Sequence, residues 1–192
     1  RHRESLMATV QSYLDLIQAS NEFKNTISDI DLAEGLAPEE RISRRVDAQE
    51  SAAPEAAKAV ANALKDLKEA SELTKIPISE LGAAAADESF TDKNFERVVG
   101  TRTKTIPTRT GSIQVTEEVT EKIDANSVKK QIEVTLKQLD EAIKLNASAM
   151  MESRKTLAEA GQEAIKGDLS FEELTKFVDT SKRLNNLNYN KI

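Results

Sequence analysis

From Asn126 to Lys166 the chain repeats apolar residues at helical spacing, with no proline and no glycine before Gly161. Ile132, Leu136, Leu139, Ile143, Met150, Leu157 and Ala164 fall on four- and three-residue steps, the pattern of one long helix packed on other helices. Asn146 and Ser153 take two of its inward slots. Three readings follow: the register drifts towards Ala147 and Arg154, the neighbouring helix is met through small and polar side chains, or the C-terminal half of the helix is only half buried. Polar groups in such a seam fix register at a cost in stability.

The N-terminal segment spaces Leu6, Val10, Tyr13, Leu14, Ile17, Phe23, Ile27 and Ile30 as a helix over about 4–30, broken at Ser20-Asn21 and closed by turn residues up to Gly35. Residues 38–50 read as a short charged helix docking through Ile42 and Val46. Its Arg41, Arg44 and Arg45 are surrounded by Glu39, Glu40, Asp47 and Glu50, which makes them a solvated face. Pro54 suits the first turn of a new helix over 54–74, buried through Ala57, Val60, Leu64, Leu67 and Ala70 or Ser71. A further short helix carries Ile78 and Leu81.

Between Glu96 and Val119 the period changes to 2: Gly100–Ile106 and Ile113–Thr116 read as two short strands around a Pro107–Ser112 loop. An isolated hairpin is marginal in water, so it must lie on the helices or pair with another chain. After Gly167-Asp168, Ser170 and Glu173 form a capping box flanked by Leu169 and Leu174. The last helix carries Leu174, Phe177, Val178, Ser181 and Leu184 and folds back antiparallel on the long one, before an asparagine-rich end. The fold class expected is mainly α, an elongated, coiled-coil-like bundle with one β-hairpin arm. Its regions are an N-terminal helical region (1–95), the arm (96–119), and the long helix with its return (120–192).

Composition agrees with that class. The 192 residues are 39% hydrophobic and 31% charged, with Gly 6, Pro 4 and only 4% aromatics, so the core is built from aliphatic and alanine side chains. A net charge of −6 argues against a chain that mainly coats nucleic acid or anionic membrane. With no cysteine, thiolate chemistry is unavailable, and no apolar run reaches the ~18 residues of a membrane span. The chain opens on Arg1, which reads as part of a longer, processed or tagged product, with Met7-Ala8 a natural start.

Candidate chemistry is sparse. The single histidine, His2, sits at the terminus and reads as an ordinary exposed residue, which leaves no basis for a serine triad or the common zinc sites. Asp29–Gly35 fails the calcium-loop pattern at Ala33 and Glu34. Paired glutamates such as Glu39-Glu40 and Glu172-Glu173 are neighbours in sequence, about 100° apart on a helix, and Gly100 and Gly111 open no phosphate-binding motif. No catalytic residue, cofactor or metal site is assigned.

Local contrast lies in the arm, where Arg97, Arg102, Lys104 and Arg109 stand with no acid between Arg97 and Glu117. Together with Ile106, Ile113 and Val115 they form a candidate partner-binding set, for phosphates, an acidic groove or a neighbouring subunit. A solubilised hairpin whose edges are guarded by charge and proline is the plain alternative.

The stretch from Met150-Met-Glu-Ser-Arg-Lys-Thr-Leu-Ala-Glu-Ala-Gly161 to Leu169-Ser-Phe-Glu-Glu-Leu174 resembles the helical toxic-anion (tellurite) resistance proteins over about a quarter of the chain. Its signals are local helix and cap features, and no residue role or activity is carried across. The expected function is non-catalytic: a structural or assembly protein whose arm contacts copies of itself or neighbouring subunits of a larger phage or bacterial complex, in the cytoplasm or a virion. The alternatives are an anion- or nucleic-acid-binding adaptor using the basic arm, with nucleic acid the less favoured partner, and a stress-resistance protein of the toxic-anion type.

Overall fold

A computed structural model describes residues 2–166 and 171–185, apart from the side chains of residues 2, 171, 173, 174, 177 and 185. In order they form α1 (His2–Leu32), α2 (Pro38–Thr74), a 3₁₀ turn (Ile78–Glu80), α3 (Leu81–Ala86), a second 3₁₀ turn (Glu88–Asp92), β1 (Phe95–Thr108), β2 (Gly111–Ile123), α4 (Ala125–Ile165) and α5 (Phe171–Asn185). The protein is mainly helical, with long helices packed together and one two-stranded antiparallel hairpin. The Gly167-Asp168 turn, the Ser170/Glu173 cap with its Leu169/Leu174 staple, Phe177 and the asparagine-rich end lie outside the described residues and side chains.

The chain divides into two compact units, residues 1–9 with 66–134 and residues 10–65 with 135–192. In the second unit Leu16, Phe23 and Ile27 of α1, Ala52, Ala56, Ala59 and Val60 of α2, and Ala142, Leu145 and Ala149 of α4 form one core cluster. Alanine on two of three faces lets the backbones approach closely. Contacts at Ser20–Glu141 and Asp31–Lys155 run α1 parallel to α4, while Arg45–Glu159 and Gln49–Thr156 run α2 antiparallel to it. In the first unit the buried side chains include Leu67, Leu81, Phe90, Phe95, Ile123, Val128 and Ile132.

Several helix expectations are corrected. α2 is one helix from Pro38 to Thr74, with Pro54 inside it rather than opening a new one. Proline costs the interior hydrogen bond to residue i−4, and burial of Gln49, Ala52, Ala53 and Ala56 around it holds the helix together. Pro38 does open a helix, and Arg41 N–H closes its first turn on Ala37 O at 3.0 Å. The end of α2 is set by Lys75 at φ 60°, whose N–H returns to Ser71 O at 2.9 Å.

The seam of α4 lies one residue from the expected heptad. Ile143 is 50% exposed, while Thr135, Gln138, Ala142, Leu145, Ala149, Ser153, Thr156 and Ala160 are buried. The closest helix approach takes small and polar side chains, and the bulky Leu136, Leu139, Met150 and Leu157 flank it, half buried. Asn146 and Ser153 are therefore buried, as the second of the three readings has it. In the same way Ser20 lies within the α1 stripe, donating to Glu141 at 3.1 Å, and Leu14 and Leu64 are exposed.

Candidate functional site

The arm is much longer than two short strands. β1 and β2 pair continuously from Thr108↔Gly111 back to Phe95↔Ile123, leaving Arg109 and Thr110 as the turn. At about 3.4 Å per residue this ribbon spans on the order of 40 Å. The expected loop at Pro107–Ser112 tightens because Gly111 takes φ 148°, a conformation side chains rarely adopt, and the Thr108 hydroxyl donates to Gly111 O at 3.1 Å. Pro107 pairs with Ser112 without ending the strand. Glutamates at 117, 118 and 121 suit strands poorly by propensity, but they stand opposite Arg102, Thr101 and Arg97.

The base is buried and everything beyond it is not. Phe95 and Ile123, opposite one another, are buried, and the Phe90 ring lies 5.3 Å from that of Phe95, centroid to centroid, at 41°. Asp87 caps the turn that carries Phe90, accepting from Ser89 N–H at 2.8 Å. Asp124 caps α4 directly after β2, accepting from Asn126 N–H and the Ser127 hydroxyl, both at 3.3 Å. From Glu96 to Lys122 every residue is exposed except the half-buried Val115.

Residues opposite each other in an antiparallel pair share a face, and faces alternate along each strand. One face carries the pairs Ile106/Ile113, Lys104/Val115, Arg102/Glu117, Gly100/Val119 and Arg97/Glu121; the other carries Thr105/Gln114, Thr103/Thr116 and Thr101/Glu118. A register shift at Val98/Gly100 absorbs the odd residue, Val99, and keeps Arg97 on the first face. All the strand positions of the candidate set thus fall on one face, with Ile106 41% and Ile113 52% exposed, and Arg109 sits apart in the turn.

The basic island is largely matched by acids from the facing strand. Arg102 lies opposite Glu117 and Arg97 opposite Glu121, and Lys104 Nζ is 3.6 Å from Glu117 Oε2. Arg109 has no ion-pair partner among the described residues. No group of three or more histidines or carboxylates among the described residues is placed to hold a metal ion, and no described helix is long and apolar enough to cross a membrane.

A polar layer inside the second unit was not read from the sequence. Arg45, expected on a solvated face, is 2% exposed, and it donates to Glu159 Oε2 at 2.5 Å and to Asp31, which Lys155 also approaches at 3.6 Å. Burial pulls its pKa down, but the hydrogen bonds to Glu159 and Asp31 outweigh burial and raise it. One turn on, the Ser153 hydroxyl donates to Gln49 Oε1 at 3.2 Å, and Gln49 Nε2 donates to Thr156 Oγ1 at 3.1 Å. The usable signal was position: Arg45 is a neighbour of Val46, four residues before Gln49, on the face that continues into Ala52 and Ala56. By contrast Arg44 pairs with Glu40 in solvent, as expected.

No protein-family model, curated protein or solved structure matches the chain. The likeness of the 150–174 stretch to toxic-anion resistance proteins therefore stands on local helix and cap signals alone.

Proposed function

We propose that the chain is a non-catalytic assembly protein: a helical body carries the β-arm, and the arm's mixed apolar and basic face contacts neighbouring subunits of a larger complex. A phage or bacterial structural assembly is the setting this reading suits. The observation that carries it is the exposed ribbon, on which Ile106, Ile113, Val115, Arg97, Arg102 and Lys104 share one side. A hairpin held only by its own two strands is marginal in water, so a ribbon this long gains from a partner. Glutamates opposite Arg97 and Arg102 weigh against a nucleic-acid role, since they hold negative charge where a phosphate would sit.

The triple substitution Ile106→Ser, Ile113→Ser, Val115→Thr tests the reading. It should leave the thermal unfolding of the helical body unchanged and abolish self-association or capture of the native complex. Assembly at wild-type strength would contradict the proposal.

A further inference from the structure

The two edges of the arm carry opposite charge at matching levels. β1 holds Arg97 and Arg102, and β2 holds Glu121 and Glu117 directly opposite them, all on one face. Ile106 and Ile113 share a third level nearer the turn. The outward backbone of β1 follows from Pro107: having no N–H, it fits inside a paired strand where its nitrogen faces away from the partner. Thr105, Thr103 and Thr101, in step with it, then aim their N–H and C=O groups outward. Among the described residues no third strand meets either edge.

We infer that the partner of the arm is the arm of a second copy of this chain, added edge to edge, with β1 of one copy against β2 of the next and both arms pointing the same way. This rests on the assembly reading above and names its partner. Joining β1 to β1, or β2 to β2, needs the second arm turned over about its length, which puts the two charged rows on opposite faces, or turned end for end, which sets basic side chains against basic or acidic against acidic; like charges facing across strands destabilise a sheet. Opposed arms would bring the turn of one beside the base of the other and lose the match of levels. Codirectional addition without stagger gives each Arg102 a second Glu117 and each Arg97 a second Glu121. It also lines the isoleucines into one continuous apolar row. Every added copy leaves one β1 edge and one β2 edge unpaired, so the contact is heterologous and repeats until it closes as a ring or runs on as a filament.

The test uses the full chain and light scattering. Wild type should form multiples of its 21.1 kDa mass. Thr103→Pro removes one outward N–H, leaves the charges and the internal ladder in place, and should reduce the mass to that of one protomer. Arg97→Glu/Arg102→Glu, acidic on both edges, and Glu117→Arg/Glu121→Arg, basic on both, should each be monomeric alone and recover multimers when mixed in equal amounts. A monomeric wild type at all concentrations, or a Thr103→Pro chain that assembles like wild type, overturns the edge pairing. If Thr103→Pro assembles while the isoleucine-to-serine variant does not, the arm remains the contact and only the edge geometry fails. Multimers in both overturn the assembly reading as well.

Discussion

Arg45 of α2 donates to Glu159 of α4 at 2.5 Å from within the second unit, with 2% of its side chain exposed while Glu159 keeps 32% of its own. The guanidinium is thus the buried partner and the carboxylate the solvated one. Removing the two partners should have unequal effects. Arg45→Ala leaves a cavity and two carboxylates that water can still reach, and it should cost about 3 kcal/mol, the low end for breaking a buried ion pair. Glu159→Ala strands the buried charge with Asp31 alone and should cost at least as much. Urea denaturation of both variants checks this; a loss below about 1 kcal/mol in either would mean that the pair is a surface interaction.

Arg183 of α5 donates to Glu50 Oε2 at 2.7 Å and to Asp47 Oδ1 at 2.9 Å on α2. Hydrogen bonding to Arg183 holds the Glu50 carboxyl below its ordinary pKa, against a smaller upward push from burial. A depressed carboxylate contributes stability above its unfolded-state pKa and loses it as pH falls through the folded one. The α5 tether should therefore persist through the ordinary glutamate range and be lost only in stronger acid. In Arg183→Gln the Glu50 carboxyl should titrate higher, which carboxyl-detected NMR measures; an unmoved titration would contradict the tether. Both partners are well solvated, so global stability should change by less than about 1 kcal/mol.

Pro54 lies exposed inside α2 and removes the bond its N–H would make to the Glu50 carbonyl. An interior proline costs roughly 3 kcal/mol, offset by up to about 1 kcal/mol through the stiffer unfolded chain. Pro54→Ala should stabilise the protein by about 2 kcal/mol in urea. No gain would mean that α2 is bent at this position to fit its neighbours.

Gln138 is 1% exposed, and neither of its amide atoms has a hydrogen-bond partner among the described residues. A buried amide left unpaired costs about 1–3 kcal/mol. Gln138→Leu, similar in size, should recover part of that as a higher denaturation midpoint. A lower midpoint would identify Gln138 as a bonded part of the seam.

The long elements were legible because periodicity survives any packing detail: α1, α4 and the existence of the hairpin follow from it. Which stripe faces inward was less so. Ile143 looks like a core residue and Gln138 like a surface one, yet close approach against alanine-rich helices favours the smaller and more polar face. Pro54 misled because proline is a strong stop signal locally, while a long buried stripe on both sides can carry a helix through it. The arm's residues were readable as a set by composition. Their common face was not, since it depends on the shift at Val98/Gly100 and on the two-residue turn before Gly111.

Shortening the arm decides whether it makes the assembly contact. Replacing residues 101–118 with Asn-Gly joins the paired Gly100 and Val119 through a two-residue turn and spares the buried base at Phe95 and Ile123. Light scattering with size-exclusion chromatography, across concentration and at low and high salt, should give multimers for the full chain and single protomers for the short-armed one, with equal thermal unfolding. Equal multimeric masses for the two chains would mean that the contact lies outside the arm.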